Sequence, residues 1–498
     1  MTNVKKSKGH NPIEKYLNVI SPYHYYFYSL LFLSKIPPYW HVLSLIFLTP
    51  PIDYYCNNTI TRSDTKNACP CEDPWWDRSV FTETIQTKFN MVCDNAWLVS
   101  FSQSMLYAGL LIGAFVFGFL SDKFGRVPSF SLSCFILAIS GCLVCVMPNS
   151  TLFIVMRLIE GIAIAGTIVT SFVLCVEYCG ARHREIITAL YHIPLNISHM
   201  SLAGISYMLR HCDELQLALS VPMFLFLGFQ WLVMESPKWL MDNGQIDKAA
   251  KVIERVTKYS RSSSPTVKEE MEAYVANQAS SSKTKVEFWQ IFKHRKLTIN
   301  FLCMSFNYFV CGMGYYGVSQ YIGRMNGDIH ANVAISGALL LPGTIAAVFL
   351  LKILNRRPFL MTSNFLSGLL IIIVICIPEK WLWVRVVIAC ICNCFFLMSF
   401  IIVFLYGVEL FPTTIRNSAL GFLSVMSRAG QIVAPPINAL SPTTSAIVFG
   451  VLAIMASVFC LPIPETKNTE LPSTIEDSKR LSIKSIELIE NPSSGANS

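Results

Sequence analysis

The chain has 498 residues, 53% of them hydrophobic and only 14% charged, with a net charge of +8. Soluble domains usually carry about 25% charged residues, so the composition excludes a water-soluble globule and a disordered chain. The basic excess lies scattered between apolar runs, which excludes a nucleic-acid binder and fits asymmetric membrane loops.

In chain order, a tail at 1–22 leads into twelve apolar stretches: 23–50, 97–120, 127–147, 151–176, 186–208, 214–234, 298–319, 332–351, 359–378, 381–405, 417–439 and 444–462. Each is close to the ~20 residues that a bilayer-crossing helix needs. Pro37 and Pro38 interrupt the first; prolines kink membrane helices without forbidding them. The apolar run after Lys5, Lys6 and Lys8 is too long for the core of a cleavable signal peptide. The pattern predicts an all-α membrane protein of twelve transmembrane helices.

Loop charge predicts its orientation. Short loops on the N-terminal side carry Lys123, Arg126, Arg182, Arg184, Lys352, Arg356, Arg357 and Arg416, while those on the other side carry Arg210, Arg324 and Lys380. Basic loops stay inside, so both termini are expected in the cytoplasm, with the plasma membrane as the expected location.

Two loops are long. Residues 51–96, expected outside, hold Cys56, Cys69, Cys71 and Cys93 together with the sequon at Asn57. An oxidising exterior favours two disulfides there, and three connectivities are open. Asn57 is the expected glycan acceptor. The other thirteen cysteines read as small buried hydrophobes. The second long loop, 235–297, is expected in the cytoplasm, with short amphipathic helices around 244–259 and 267–277. It divides an N-terminal half, 23–234, from a C-terminal half, 298–462. The tail 463–498 is polar, Ser-rich and expected to be disordered.

The halves echo one another. Arg126 and Arg356 are 230 residues apart, as are Pro128 and Pro358, and Glu235 and Glu465. Glu177 with Arg184 is matched by Glu409 with Arg416, both members shifted by 232. Matches at nearly one offset indicate a duplicated six-helix unit, a transporter architecture with its substrate site between the halves. The repeated charges fall at cytoplasmic helix ends, where the plain reading is topology and solubility. Repetition points instead to a gate that locks and releases the bundles with weak, reversible ion pairs. Asp122, Arg126, Glu177, Arg184 and Glu235 form one expected cluster, and Arg356, Arg357, Glu409, Arg416 and Glu465 the other.

These residues carry a resemblance. Gly118-Phe-Leu-Ser-Asp122-Lys-Phe-Gly125-Arg126 resembles the signature between the second and third helices of the major facilitator superfamily. Glu235-Ser-Pro-Lys-Trp-Leu240 and Glu409-Leu-Phe-Pro412-Thr-Thr-Ile-Arg416-Asn417 resemble signatures of its organic-ion transporters, solute carrier family 22. The Gly327-Asp328-Ile329 step and the run 471–476 fit as well, and the likeness spans about 11–477. Trp40-His41 and Pro50-Pro51 look most like invertebrate members called organic cation transporters. The resemblance implies two pseudo-symmetric six-helix halves. The second copy of the superfamily signature departs from it, with Asn355 where Gly is usual and no acidic residue.

One polar group inside the membrane stands out. Arg428 lies twelve residues beyond Arg416, about 18 Å along a helix and so near mid-bilayer. An arginine there costs roughly 2.5–3.5 kcal/mol and is expected to face a water-filled cavity. The plain alternative is pairing with a buried acid, and Glu160 is the one candidate, nearer the outer end. The resemblance implies that cation-selective members are acidic at this place in the eleventh helix, and anion or carnitine-type members basic. It also implies a cavity lined by Tyr207, Tyr315, Tyr316 and Phe400. Aromatics of this kind also serve as plain packing. Leu340-Leu341-Pro342 lacks the acid that the family often has before that proline. A guanidinium suits a carboxylate.

The expected function is therefore alternating-access transport of small organic ions, anions or zwitterions bound near Arg428. Organic cations, or sugars and other metabolites, are the alternatives. No enzyme motif of the His-Glu-x-x-His, Gly-x-Ser-x-Gly or phosphate-loop type occurs, and no ring of like charges suggests a channel. No cofactor and no metal are expected. The expected partners are the lipid bilayer, a small organic ion and a co- or counter-transported ion, with no nucleic acid. His192 and His199 read as packing residues.

Overall fold

The computed structural model describes residues 12–56, 66–71, 73–180, 183–258, 267–279, 288–412, 415–467 and 472. Asn57, most of the C-terminal tail and the side chain of Arg184 lie outside the described residues. Among the described residues the chain is all-α apart from one two-stranded hairpin.

Nine helices among the described residues are long and apolar enough to cross a membrane. The other three of the twelve expected spans have identifiable physical reasons for falling short. The first is three pieces, Pro22–Ser34, Ile36–Leu43 and Leu45–Leu48. Pro37 and Pro38 have no N–H to return to the preceding turn, so the helix breaks at Lys35. The fifth breaks at Tyr191 and His192, ahead of Pro194, into Arg184–Leu190 and Ile193–Met208. The eleventh is one helix, Arg416–Asn438, but it carries Arg428 and other polar residues.

The spans group as two similar halves. The second span packs along the fourth as the eighth packs along the tenth, the first meets the fifth as the seventh meets the eleventh, and the third meets the sixth as the ninth meets the twelfth. The halves meet where the second span crosses the eleventh and the fifth crosses the eighth. Small residues permit the tightest approaches: a side chain on Gly312 would strike the backbone of Ser427, and one on Gly430 that of Phe309. That packing fixes the rotation of the eleventh span and so the direction of Arg428.

Twelve crossings bring the described ends, near residues 12 and 467, to one face, called here the terminal face. On the opposite face, strands Tyr54–Cys56 and Pro74–Trp76 pair antiparallel, with Tyr54 opposite Trp76. Cys56 bonds Cys71 and Cys69 bonds Cys93, selecting one of the three open connectivities. Asp53 accepts from the Asn67 amide at 2.9 Å and from Lys66 at 3.1 Å, which holds its carboxyl below the usual carboxylate range. On the terminal face the central loop forms helices Ile246–Lys258 and Val267–Ala279, close to the expected positions. The expected N-terminal tail contains a helix, Pro12–Leu17, that packs on both.

Candidate functional site

A ring of side chains from both halves surrounds the centre of the bundle. Lys35 and Tyr39 come from the first span, Tyr191 and His192 from the break in the fifth, Tyr315 and Tyr316 from the seventh, Phe400 from the tenth and Arg428 from the eleventh. Neighbours touch in sequence. The Lys35 ammonium lies 5.1 Å from the centre of the Tyr39 ring, and Tyr39 and Tyr316 are the electrostatic neighbours of Arg428. Tyr316 meets Tyr315 edge-on at 5.0 Å, Tyr315 lies 6.1 Å from Phe400, and Phe400 meets His192 at 6.0 Å. Tyr107 of the second span closes on Tyr316 at 5.6 Å.

Arg428 is half-buried, and no hydrogen bond or ion pair to it is recorded among the described residues. Glu160 does not reach it. That carboxylate, fully buried, accepts from Arg157 at 2.9 Å and from Gln216 at 2.6 Å. Arg157 is further held by Ser44 and Gln103. The expected cavity residues Tyr315, Tyr316 and Phe400 join the ring. Tyr207 does not: it sits on the disulfide face, 57% exposed, between His330 and Arg210. Sequence reasoning treated Arg428 as the lone intramembrane cation, whereas Lys35 is 1% exposed and Arg157 fully buried. Each had a signal, Lys35 beside the Pro37-Pro38 break and Arg157 three residues before an acid. His199 is buried with both ring nitrogens unpartnered, which suits a packing role.

The charged residues of the terminal face form two like-built clusters. Arg126 donates to Glu177 at 3.2 and 3.1 Å and to Asp122 at 2.7 Å. Glu235 accepts from the backbone N–H groups of Arg126 and Val127 at 3.0 and 3.1 Å. In the second half Arg356 donates to both oxygens of Glu409, and Glu465 accepts from the N–H groups of Arg356 and Arg357 at 2.8 and 3.0 Å. A carboxylate at a helix start suits the positive end of the helix dipole. Burial raises the pKa of Glu235, against the pull of the Ser236, Val127 and Arg126 N–H groups. Asn355 enters the second cluster's turn with φ −71°, where Gly125 has φ +106°. Thr466 donates to Glu409 at 2.6 Å.

Two expected members differ. Arg416 donates to the Phe411 carbonyl and leaves one guanidinium nitrogen unpartnered, because the helix start directs it back along its own turn. Arg357 contributes its backbone N–H. The recorded bonds of each cluster stay within one half. Bonds between the halves lie elsewhere. Ser104 donates to the Ile432 carbonyl at 2.9 Å and Asn196 to Thr344 at 2.7 Å. On the disulfide face, His330 of the eighth span lies among Phe47, Phe81 and Tyr207, with ring separations of 5.3, 5.4 and 5.6 Å.

The family model described as "Sugar (and other) transporter" matches residues 53–476. Solute carrier family 22 member 3 of Rattus norvegicus is 32% identical over 83% of this chain and 74% of its own length. Solute carrier family 22 member 6 of Oryctolagus cuniculus is 32% identical over 84% and 78%. The organic cation transporter protein of Drosophila melanogaster is 29% identical over 87% and 81%. In fold, the chain is similar to the inward-open E. coli xylose transporter XylE, with a TM-score of 0.66 at 16% identity over 91% of this chain and 99% of that one. Twelve spans in two like halves around a central polar site, together with these relatives, identify a multi-pass membrane transporter, not an enzyme: the chain belongs to solute carrier family 22, within the sugar and other transporter family.

Proposed function

We propose that this transporter carries small organic anions or zwitterions, with the substrate carboxylate bound by Arg428. The observation that carries the reading is a mid-span guanidinium, half-buried, with no recorded carboxylate partner and with tyrosines on either side. Left unpaired, such a charge is costly in a low-dielectric interior. A substrate carboxylate offers it two hydrogen bonds in one plane. The ring of Tyr39, Tyr315, Tyr316 and Phe400 suits an aromatic or flat organic body, because tyrosine both stacks and donates.

Transport proceeds by alternating access between the halves. Contacts between the halves on the disulfide face, with the charge clusters bonded within each half, support a state open to the terminal face. In this reading the clusters brace each half, and their surfaces meet when the terminal face closes. The terminal face is cytoplasmic by its basic loops, and the disulfide face is outside, at the plasma membrane. The two disulfides require an oxidising compartment, and Asn57 accepts the glycan. A co- or counter-transported ion supplies the driving force.

A second reading, organic cation transport, has a specific observation in its favour: aromatic faces attract quaternary ammonium groups, and one relative is named for cations. Uptake into cells expressing the chain separates the two. Labelled benzoate, carnitine and tetraethylammonium are compared with wild type and Arg428→Ala. Benzoate or carnitine uptake that collapses in the variant supports the anion reading. Tetraethylammonium uptake that survives the substitution overturns it.

A further inference from the structure

Arg157 in the fourth span and Arg385 in the tenth are repeat partners, 228 residues apart. Their settings differ. Arg157 is fully buried and pairs with Glu160, three residues on, at 2.9 Å, with Ser44 and Gln103 as further acceptors. Three residues beyond Arg385 stands Ile388. The acid recorded with Arg385 among the described residues is Glu379, at 3.9 Å, and that side chain is 82% exposed. So long and exposed a pair contributes little. The Arg385 Nε is buried and has no hydrogen-bond partner.

A second guanidinium borders the same space. Arg324 follows the seventh span and donates to the Asn438 carbonyl at 2.5 Å, an oxygen left free because the eleventh span ends there. Burial pulls the Arg324 pKa down, and no acid is set against that pull. Arg324 and Arg385 line one cavity of about 100 Å³ together with Tyr321, Asn326, Asn438 and Ser445. That is space for several water molecules. All of these residues belong to the second half and lie toward the disulfide face. Asn438 is ten residues beyond Arg428 on one helix, about 15 Å, so the cavity is distinct from the central ring.

We propose that this cavity binds a small inorganic oxyanion, bicarbonate or phosphate, from the medium on the disulfide face. The ion supplies to Arg385 and Arg324 the negative charge that Glu160 supplies to Arg157. Each guanidinium presents two N–H groups in one plane, which match two oxygens of such an ion. The site does not depend on the charge of the transported substrate.

Thermal unfolding of the purified full-length carrier in detergent tests it, with phosphate, bicarbonate or chloride titrated at matched pH and ionic strength. Wild type should show a saturable rise in melting temperature with phosphate, bicarbonate or both, and the ion that acts identifies the source. Arg385→Gln and Arg324→Gln should each move the midpoint of that rise at least about tenfold higher, the loss of one charged contact. Ile388→Glu keeps both arginines and adds an acid at the spacing of Glu160 from Arg157. It should abolish the saturable rise, and it gives the answer even where an arginine variant fails to fold. No saturable rise in wild type with either oxyanion overturns the proposal, as does an unchanged midpoint in the folded variants. A rise that never saturates and is equal in all forms is a general salt effect and overturns it too. Saturation by chloride as readily as by the oxyanions overturns the choice of ligand.

Discussion

Glu465 holds the start of the ninth span as Glu235 holds the start of the third, each carboxylate accepting two consecutive backbone N–H groups. The two glutamates are 230 residues apart, and neither belongs to the span it caps. Each therefore ties the end of its half back to the middle. Glu235→Ala and Glu465→Ala should each lower thermal stability in detergent, by about 1–2 kcal/mol, because two buried N–H groups lose their acceptor. Equal melting curves for wild type and both variants would show the caps to be incidental.

Arg126 and Glu177 form the inner pair of the first cluster, with side chains 11% and 10% exposed. Arg126→Ala leaves that carboxylate buried without its partner, at a cost of about 3–5 kcal/mol. The expected outcome is poor recovery of folded protein, measured as monodisperse yield, with Arg126→Lys intermediate because lysine cannot make the paired contact.

Gly125 has φ +106°, and a side chain added there would meet the Glu235 carboxylate. Gly125→Ala should destabilise by at least about 1 kcal/mol through backbone strain alone. Asn355→Gly should not stabilise comparably, since φ −71° suits any residue. Melting temperatures of the two variants test the contrast.

Arg428→Ala should raise the KM for a transported carboxylate by roughly 10- to 150-fold, the value of hydrogen bonds to a charged group. Arg428→Lys should recover part of it. A variant with wild-type KM would place carboxylate recognition elsewhere.

Acidity should act in opposite senses at two carboxyl groups. Asp53 has a depressed pKa, so the support it gives the disulfide loop is present above its unfolded value and lost as pH falls through the folded one. The group is substantially exposed, so the effect is small, about 0–1 kcal/mol. Glu235 has a raised pKa, so burying its charge weighs against folding at neutral pH, and that burden lifts as pH falls. Hydrogen-exchange protection, corrected for the intrinsic pH dependence of exchange, should therefore fall between pH 7 and pH 4 at the hairpin around Asp53 more than at the Arg126–Val127 turn.

The cysteine pairing has its own test. In a Cys376→Ser background, which removes an exposed free thiol, an impermeant maleimide on intact cells should label Cys56→Ser and Cys71→Ser but not the double variant. Labelling of the double variant would refute the pairing, and no labelling of either single variant would refute the assignment of that face to the exterior.

Much of this was legible in the chain because membrane helices must satisfy their own backbone, which leaves a plain hydropathy record. The twelve spans and the 230-residue echo followed from that record. The central ring of side chains was legible only in part. Arg428 announced itself as a charge inside an apolar run, and Tyr315, Tyr316 and Phe400 came from resemblance. Lys35 was hidden because it stands where prolines break the helix, and so read as an interruption. Tyr207 was misplaced because helix phase near a terminus depends on tertiary packing. Arg416 shares the spacing of its counterpart, yet the backbone turn sends its guanidinium to Phe411, a matter of local dihedrals that spacing does not encode.

The cap by Glu465 has a consequence for how the chain is made. Its partners, Arg356 and Arg357, are synthesised more than one hundred residues earlier, so the second cluster is completed only by a segment that emerges after the final span. A message that stops one codon before Glu465 would yield all twelve spans, yet leave the ninth helix start uncapped and Arg356 short of its full setting. The short polar stretch after the final span thus reports that every span before it has been translated, and a nascent carrier lacking it would present the ninth helix start uncapped.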